Sequence, residues 1–496
     1  MNKFGLSILI PFFVTILLFQ NTYAHGFGER YDLPLPLYMF IVGGAVTVAV
    51  SFLLVSFFMK FESSISRNFT FVFLDLSKFG RLRISKLLIF LIKVLSVLIY
   101  FLIILTGIFG IQKPLENFSV VFVWIVWWVG IGYLVAFVLN IWDILNPWSI
   151  IYDWIFKPIL KIFNISSSGI YSYDFRRYDV LPALVMFVIF CWVENVYSNT
   201  DSPAFIAFLI LGYSLVTFCG MFLYGSKNWL NYGEIFSVLF GYYSKFSALN
   251  FNRDVAGKLS MTLRPYGFGL IESKSSSIYT TFLIIVVLSM VTFDGLSETP
   301  FWVSMLNFFY PFFVTILGEY TIIILTTIGM LIVPAVFMFL YFLTCYFMLK
   351  CAKFNEIEFN NWNEKDFLQI GNIFIFTLIP IALAYNLAHY FSFLLIQGQL
   401  IIPLISDPFG FGWDIFSTAN YKVNIAIINA KFAWFLSLFS IVIGHILSIF
   451  IAHKVAFNQL KNIHVVLKTQ YPMLVLMVIY TATSLWIIAQ PIVEMS

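Results

Sequence analysis

A few ionisable side chains lie within or beside the long apolar segments of this sequence. Such groups are costly to place in hydrocarbon, so each is a candidate for function. His389 offers a base or a metal ligand, Lys431 offers a cation, and Asp294, Asp407 and Asp414 offer carboxylates. Hydrolysis needs a general base together with a metal ion or a cationic group. If these five side chains converge, they form a candidate catalytic site.

Helical spacing places further polar residues near these five. One predicted helix presents four of them on a single face, because offsets of 3, 4 and 7 residues repeat on a helix: Tyr385, Asn386, His389 and Ser392. A second predicted helix places three at multiples of seven, as a polar stripe: Asn424, Lys431 and His445. Three acids stand at the ends of apolar segments, where a solvated role and a role in a site are equally open: Glu194, Glu298 and Glu319.

Two histidines predict a metal site. A mature chain that begins at His25 presents an imidazole and a free amine, which can chelate copper together with a second histidine. His389 is the second histidine predicted to lie near that side of the membrane. A copper or zinc ion held by His25 and His389 is therefore one hypothesis. A haem between His389 and His445 is disfavoured, because these two residues differ in predicted depth.

The composition defines the class of protein that carries these residues. Hydrophobic residues make up 61% of the 496 residues, charged residues only 10%, and the mean hydropathy is +0.94. Soluble domains carry roughly 25% charged residues. Ten apolar stretches are long enough to cross a bilayer as helices: 36–59, 87–110, 119–140, 180–197, 203–224, 278–296, 319–348, 371–396, 425–450 and 473–490. The predicted fold is an all-α, polytopic transmembrane helix bundle.

The N-terminal segment 1–24 has the pattern of a signal peptide. Lys3 precedes an apolar run over 4–19, and small residues at 22 and 24 occupy the −3 and −1 positions of a cleavage site after Ala24. An uncleaved signal anchor is the alternative. With cleavage, residues 25–496 form one membrane domain.

Lysine and arginine predict the orientation. The segments 60–86, 141–179, 225–277, 349–370 and 451–472 hold 22 of the 28 basic residues. The positive-inside rule therefore places these segments in the cytoplasm and both mature termini on the outer side, which in a bacterial inner membrane is the periplasmic side.

Three further apolar segments are not counted as spans. The stretch 301–317 would reverse the orientation if it crossed, so a re-entrant or interfacial segment broken at Pro311 is predicted. The stretch 397–420 is interrupted by Pro403, Pro408 and two glycines, and has the same interpretation. The aromatic-rich stretch 232–246 is predicted to lie in the membrane interface.

Several protein classes are disfavoured by the motifs. The sequence contains no P-loop, nucleophile elbow, haem-attachment motif or dinucleotide fingerprint. It has no basic stripe of the kind that binds nucleic acid. The motif WDILNPW at 142–148 suits an aromatic membrane belt followed by a turn, which is a structural role.

Several phrases resemble a family of bacterial integral membrane proteins named fenitrothion hydrolases. They are HGFGERYDLPLP at 25–36, FDGLS at 293–297, AHY at 388–390, SDPFG at 406–410, GH at 444–445 and AQPIV at 489–493. The resemblance runs along nearly the whole mature chain. It implies cleavage of an organophosphate ester, and it assigns no catalytic residue.

Three functions remain open. The resemblance favours a membrane hydrolase, with water attack on phosphorus. The spans and intramembrane ionisable groups favour a transporter or permease for a small solute or ion. The histidines favour a copper-binding or redox-linked membrane component.

Overall fold

The computed structural model describes residues 24–25, 30–31, 36–58, 71–75, 83–174, 177–253, 259–273, 276–353, 366–459 and 463–490. The predicted signal peptide lies outside the described residues, apart from Ala24. The side chain of His25 also lies outside them, so the metal site predicted at His25 stays a prediction.

Helices form almost all of the described chain. In order they are α1 (Leu37–Phe58), α2 (Arg83–Phe109), α3 (Phe118–Val138), α4 (Trp142–Leu145), α5 (Pro147–Ile151), α6 (Lys157–Ile162), α7 (Leu181–Asn195), α8 (Pro203–Tyr224), α9 (Ser226–Asn228), α10 (Ile235–Tyr243), α11 (Phe268–Ile271), α12 (Ile278–Ser297), α13 (Pro300–Leu317), α14 (Thr321–Lys353), α15 (Phe367–Phe374), α16 (Ile379–Gln397), α17 (Ile401–Ser406), α18 (Ala430–Gln459) and α19 (Ile463–Ile488).

Nine stretches within the described ranges are long and apolar enough to cross a membrane, which confirms an all-α polytopic bundle. The remaining predicted span, 180–197, corresponds to α7, an apolar helix of 15 residues. Two of the nine stretches combine several helices. Pro300–Cys351 contains α13 and α14, and Phe367–Ser406 contains α15, α16 and α17. Apolar helices of this length suit a lipid bilayer.

Two local predictions were wrong. Pro311 does not break the segment 301–317, because α13 is continuous over 18 residues with this proline inside it. The segment 232–246, predicted to lie in the membrane interface, is packed inside the protein instead of lying along its lipid-facing side. Its helix α10 is buried, and Phe236 packs between Trp127 of α3 and Phe190 of α7, with ring centroids 4.5 and 5.4 Å away.

A small antiparallel sheet joins two segments that were both predicted to be cytoplasmic. Its strand order is β3 (Phe71–Asp75), β5 (Leu259–Leu263), β4 (Leu249–Arg253). Phe71 pairs with Leu263, and Leu249 pairs with the same residue from the other side. The pairing requires the segments 60–86 and 225–277 to lie at the same end of the bundle. A separate two-stranded pairing joins β1 (Ala24–His25) to β2 (Arg30–Tyr31).

The helices α12 and α16 lie in the most buried part of the bundle. Close contact between α16 and α18 depends on Gly444. A Cβ atom there would lie 2.3 Å from the Cβ of Ala384 and 2.9 Å from the carbonyl oxygen of Pro380. This contact fixes the stretch of α16 that lies five to nine residues before His389. The two helices that carry the predicted residues Asp294 and His389 are therefore held inside the bundle.

The helix α3 is unusual, because most of it is wound as a π-helix. Phe122–Ile131 and Leu134–Val138 have this wider winding. Such turns are rare in proteins and frequently occur at functional sites. Here the π-helical stretch carries Trp128, whose indole faces the site described next.

Candidate functional site

Three ionisable side chains meet where α12 ends beside α16. The Nε2 atom of His389 lies 3.0 Å from Oδ2 of Asp294. Glu298 completes the group, and one ligating atom from each of the three lies within 4.8 Å of the others. Among the described residues, it is the one group of three or more His, Cys, Asp and Glu side chains with metal-binding spacing. We call these three residues the His389 cluster.

The end of α12 supplies both acids of the cluster. Asp294 and Glu298 are four residues apart, so a helical turn places them on one face. The carbonyls of the last turn are bound by nearby hydroxyls instead of by further helix. Ser297 donates to the carbonyl of Asp294 at 2.8 Å, and Thr299 donates to that of Leu296 at 2.7 Å. These bonds satisfy carbonyls that a helix end leaves unpaired.

Neighbouring helices hold the part of α16 around His389. The hydroxyl of Tyr133 on α3 donates to the carbonyl of Asn386 at 2.9 Å. The hydroxyl of Ser437 on α18 donates to the carbonyl of Ala388 at 2.8 Å. Each bond therefore fixes the backbone of α16 within three residues of His389.

A tyrosine supports the cluster from α16. The hydroxyl of Tyr390 donates to Oδ2 of Asp294, the oxygen that also faces His389. The side chains of His389 and Asp294 remain 17% and 20% exposed, so the cluster is not sealed in the bundle. Burial raises the pKa of the Glu298 carboxyl, which follows the last residue of α12. The cluster thus combines an imidazole, two carboxylates and a phenol at a partly accessible place.

A third carboxylate lies nearby on α7. The indole N–H of Trp128 donates to Oε1 of Glu194 at 2.8 Å. Glu194 lies close enough to Asp294 and His389 to interact with both electrostatically. It is not part of the metal-spaced group, so it is a neighbour of the His389 cluster and not a member. The winding of α3 and the end of α7 together set its position.

The structure brings together two of the five residues predicted to be catalytic, His389 and Asp294. Asp407 accepts from the backbone N–H groups of Phe411 and Gly412, at 2.9 and 2.7 Å. Asp414 is exposed and accepts from the N–H of Ala419 at 3.0 Å. Both aspartates therefore order the loop after α17.

The polar stripe predicted at Asn424, Lys431 and His445 does not form. Asn424 lies before α18, where its side chain accepts from the N–H of Ala426. Lys431 is exposed in the first turn of α18, whereas His445 is 1% exposed. His445 donates from Nδ1 to the carbonyl of Ile441 at 2.8 Å, as a buried histidine commonly does within a helix. Of the acids at segment ends, Glu319 is exposed and suits the solvated interpretation.

Three residues of the site and its surroundings lie outside the predicted catalytic set. Glu298 could have been included, since it shares a helix face with Asp294 at a spacing of four residues. No sequence pattern indicates a role for Tyr390. It follows His389 directly in the chain, and it reaches Asp294 only because of the angle at which α12 and α16 pack. Glu194 is a polar residue at the end of a predicted span, but only packing shows that it faces the same site.

The fold and the His389 cluster together define a class of protein. It is a polytopic α-helical membrane protein with a partly exposed site made of one histidine and two carboxylates. The chain matches no protein-family model, no curated protein and no solved structure.

Proposed function

We propose that the protein is a membrane-embedded, metal-dependent hydrolase, in which Asp294, Glu298 and His389 bind one divalent ion. The observation that carries this proposal is the spacing of their three ligating atoms, all within 4.8 Å of one another. Three protein ligands leave a coordination position for water or substrate, which is typical of catalytic zinc and not of structural zinc.

The donor set fits zinc. One imidazole nitrogen and two carboxylate oxygens are ligands that zinc accepts at ~2.1 Å, so two ligands of a tetrahedral ion lie about 3.4 Å apart. The Nε2 atom of His389 and Oδ2 of Asp294 are 3.0 Å apart, so the two atoms would need to move slightly apart to bind the same ion. Binding requires the proton shared by these two groups to leave, so metal and proton compete for the site.

Each surrounding residue has a role in this proposal. The bound ion would lower the pKa of a coordinated water and polarise the substrate. Tyr390 holds Asp294 in orientation, as outer partners of metal ligands do. Glu194, held by Trp128, is the candidate base that accepts a proton from the attacking water.

Organophosphate esters are the proposed substrate class. The choice of this substrate class rests on the resemblance to the fenitrothion hydrolases and on the setting of the site, where apolar helices surround a polar cluster. An apolar ester would partition into such a bundle from the membrane. We further propose an inner-membrane location, a cleaved signal peptide and a site that opens to the periplasm, in accord with the distribution of lysine and arginine.

The test compares two pairs of variants of the full chain, purified in detergent and dialysed against zinc. Glu298→Gln and Asp294→Asn should each lose bound zinc and hydrolysis of a nitrophenyl phosphotriester. Their matched controls, Glu319→Gln and Asp414→Asn, change exposed acids and should keep both. Wild-type protein that retains no zinc, manganese or cobalt would refute the metal site. Metal binding without ester hydrolysis would refute the substrate class alone.

Cation- or proton-coupled transport is the second candidate. The observation that favours it is the direct pair of His389 and Asp294 at the end of a buried helix, since such pairs carry protons in many transporters. Proteoliposomes that acidify only when a solute is added, and lose this response with His389→Ala, would favour transport over hydrolysis.

A further inference from the structure

A buried hydroxyl beside the His389 cluster has no partner. Tyr385 is 1% exposed, and its Oη atom makes no hydrogen bond within the described structure. A buried polar group without a partner costs about 1–3 kcal/mol. Phenylalanine would fill the same space without this cost, so packing alone does not explain why this residue is a tyrosine.

The position of this hydroxyl is set by two helices. Tyr385 precedes His389 by four residues, so both lie on one face of α16. A Cβ atom built on Gly295 of α12 would lie 3.0 Å from Oη of Tyr385. Gly295 follows Asp294 directly and precedes Glu298 by three residues. The hydroxyl therefore approaches α12 at the level of the two carboxylates of the cluster.

The ring of Tyr385 is held in an aliphatic setting. It belongs to a small apolar cluster with Ile41, Ile441, Leu485 and Ile487. The Cγ2 atom of Ile487 lies 3.2 Å from the same Cβ position on Gly295. Because apolar atoms surround the ring, the polar part of its setting is the end of α12, where its hydroxyl lies beside Gly295, a residue between Asp294 and Glu298 in the chain.

We infer that the Tyr385 hydroxyl donates a hydrogen bond to an oxygen atom of the molecule bound in the His389 cluster, a phosphoryl oxygen of the substrate or product. The inference rests on the proposed metal site and adds a second contact to the ligand. Tyr390 is not equivalent, because its hydroxyl already donates to Asp294. Tyr385 is thus a specificity-determining donor, and Gly295 leaves it room.

The test uses inorganic phosphate as the probe and the full chain loaded with cobalt, whose visible spectrum reports on the coordinated ion. Tyr385→Phe should bind cobalt within twofold of wild type and bind phosphate about tenfold more weakly, since a tenfold change corresponds to about 1.4 kcal/mol, near the value of one hydrogen bond. The metal-free variant should unfold at the same temperature as wild type or higher, because the removed hydroxyl had no partner.

Tyr341→Phe is the matched control. Tyr341 is equally buried, but its hydroxyl donates to the carbonyl of Gly371 at 2.7 Å. This control should lose thermal stability and keep the phosphate affinity. Phosphate affinity within twofold of wild type in Tyr385→Phe would overturn the inference, as would cobalt-loaded wild type that binds no phosphate. Wild type that binds no cobalt would instead overturn the metal site on which the inference rests.

Discussion

Two acids of this protein, one fully buried and one partly exposed, have different kinds of partner. Glu234, which caps the N-terminus of α10, is 0% exposed. It accepts from the N–H groups of Phe236 and Ser237 at 2.9 and 2.8 Å, and from the hydroxyl groups of Tyr213 and Ser237. The side-chain amide of Asn146 donates to it at 3.3 Å. All of these donors are neutral groups, and two belong to the backbone.

Asp294 is bound by a different kind of partner. Its Oδ2 atom contacts the imidazole of His389 and accepts from the hydroxyl of Tyr390. A ligating oxygen of Glu298 lies within 4.8 Å of the ligating atoms of both Asp294 and His389. The side chain keeps 20% of its surface exposed. A carboxylate satisfied by neutral donors stabilises a fold, whereas carboxylates that face one another and an imidazole can bind a cation. Within one bundle, Glu234 therefore stabilises the fold, whereas Asp294 belongs to the proposed binding site.

The largest expected effect distinguishes the two acids by activity. Asp294→Asn should lower ester hydrolysis by a factor on the order of 10³, because it weakens the metal site and removes the charge that offsets the ion. Glu234→Gln should retain most activity per folded molecule. Hydrolysis per mole of folded protein, measured after gel filtration, checks both. Equal losses in the two variants would contradict the contrast.

The next effect distinguishes them by stability. Glu234→Ala should lower the free energy of unfolding by about 3 kcal/mol, because several buried donors would lose their acceptor. Asp294→Asn should change it by less than about 1 kcal/mol, since its partners keep access to water. Thermal unfolding in detergent at fixed lipid content gives the comparison. A larger loss for Asp294→Asn than for Glu234→Ala would show that the His389 cluster is structural.

A smaller effect concerns the partner of Asp294. Tyr390→Phe should weaken zinc binding about 10- to 100-fold, as changes to the outer partners of metal ligands do. Competition with a chromophoric chelator measures the affinity. The control is Tyr213→Phe, which removes a hydroxyl from Glu234 and should leave zinc affinity unchanged. Unchanged affinity in Tyr390→Phe would remove this residue from the site.

The smallest effect concerns Glu194. Trp128→Phe removes the indole N–H that holds this carboxylate, and should lower the hydrolysis rate about tenfold without changing zinc affinity. The rate at saturating substrate and the zinc affinity, measured on the same preparation, separate the two outcomes. A change in zinc affinity with an unchanged rate would assign Glu194 to the metal and not to proton transfer.

Hydropathy alone predicted most of the bundle. Nine predicted spans correspond to long apolar helices, because a continuous apolar run has no other stable arrangement in lipid. The error at Pro311 arose because a proline inside a helix near lipid can be accommodated by the surrounding structure. The error at α10 has another cause. An aromatic-rich stretch has the same composition at a membrane surface and in a core, so only packing distinguishes the two.

The sequence by itself determined the class of protein and two members of the site. Asp294 and His389 are ionisable residues within apolar runs, and the cost of burying them marks them for function. Tertiary structure alone decided that the end of α12 lies against α16, which adds Tyr390 and the unpaired hydroxyl of Tyr385. It also decided that Glu234 is a satisfied cap. The physical reason is that a polar group's role depends on which partners packing brings within hydrogen-bond distance, and those partners are distant in the chain.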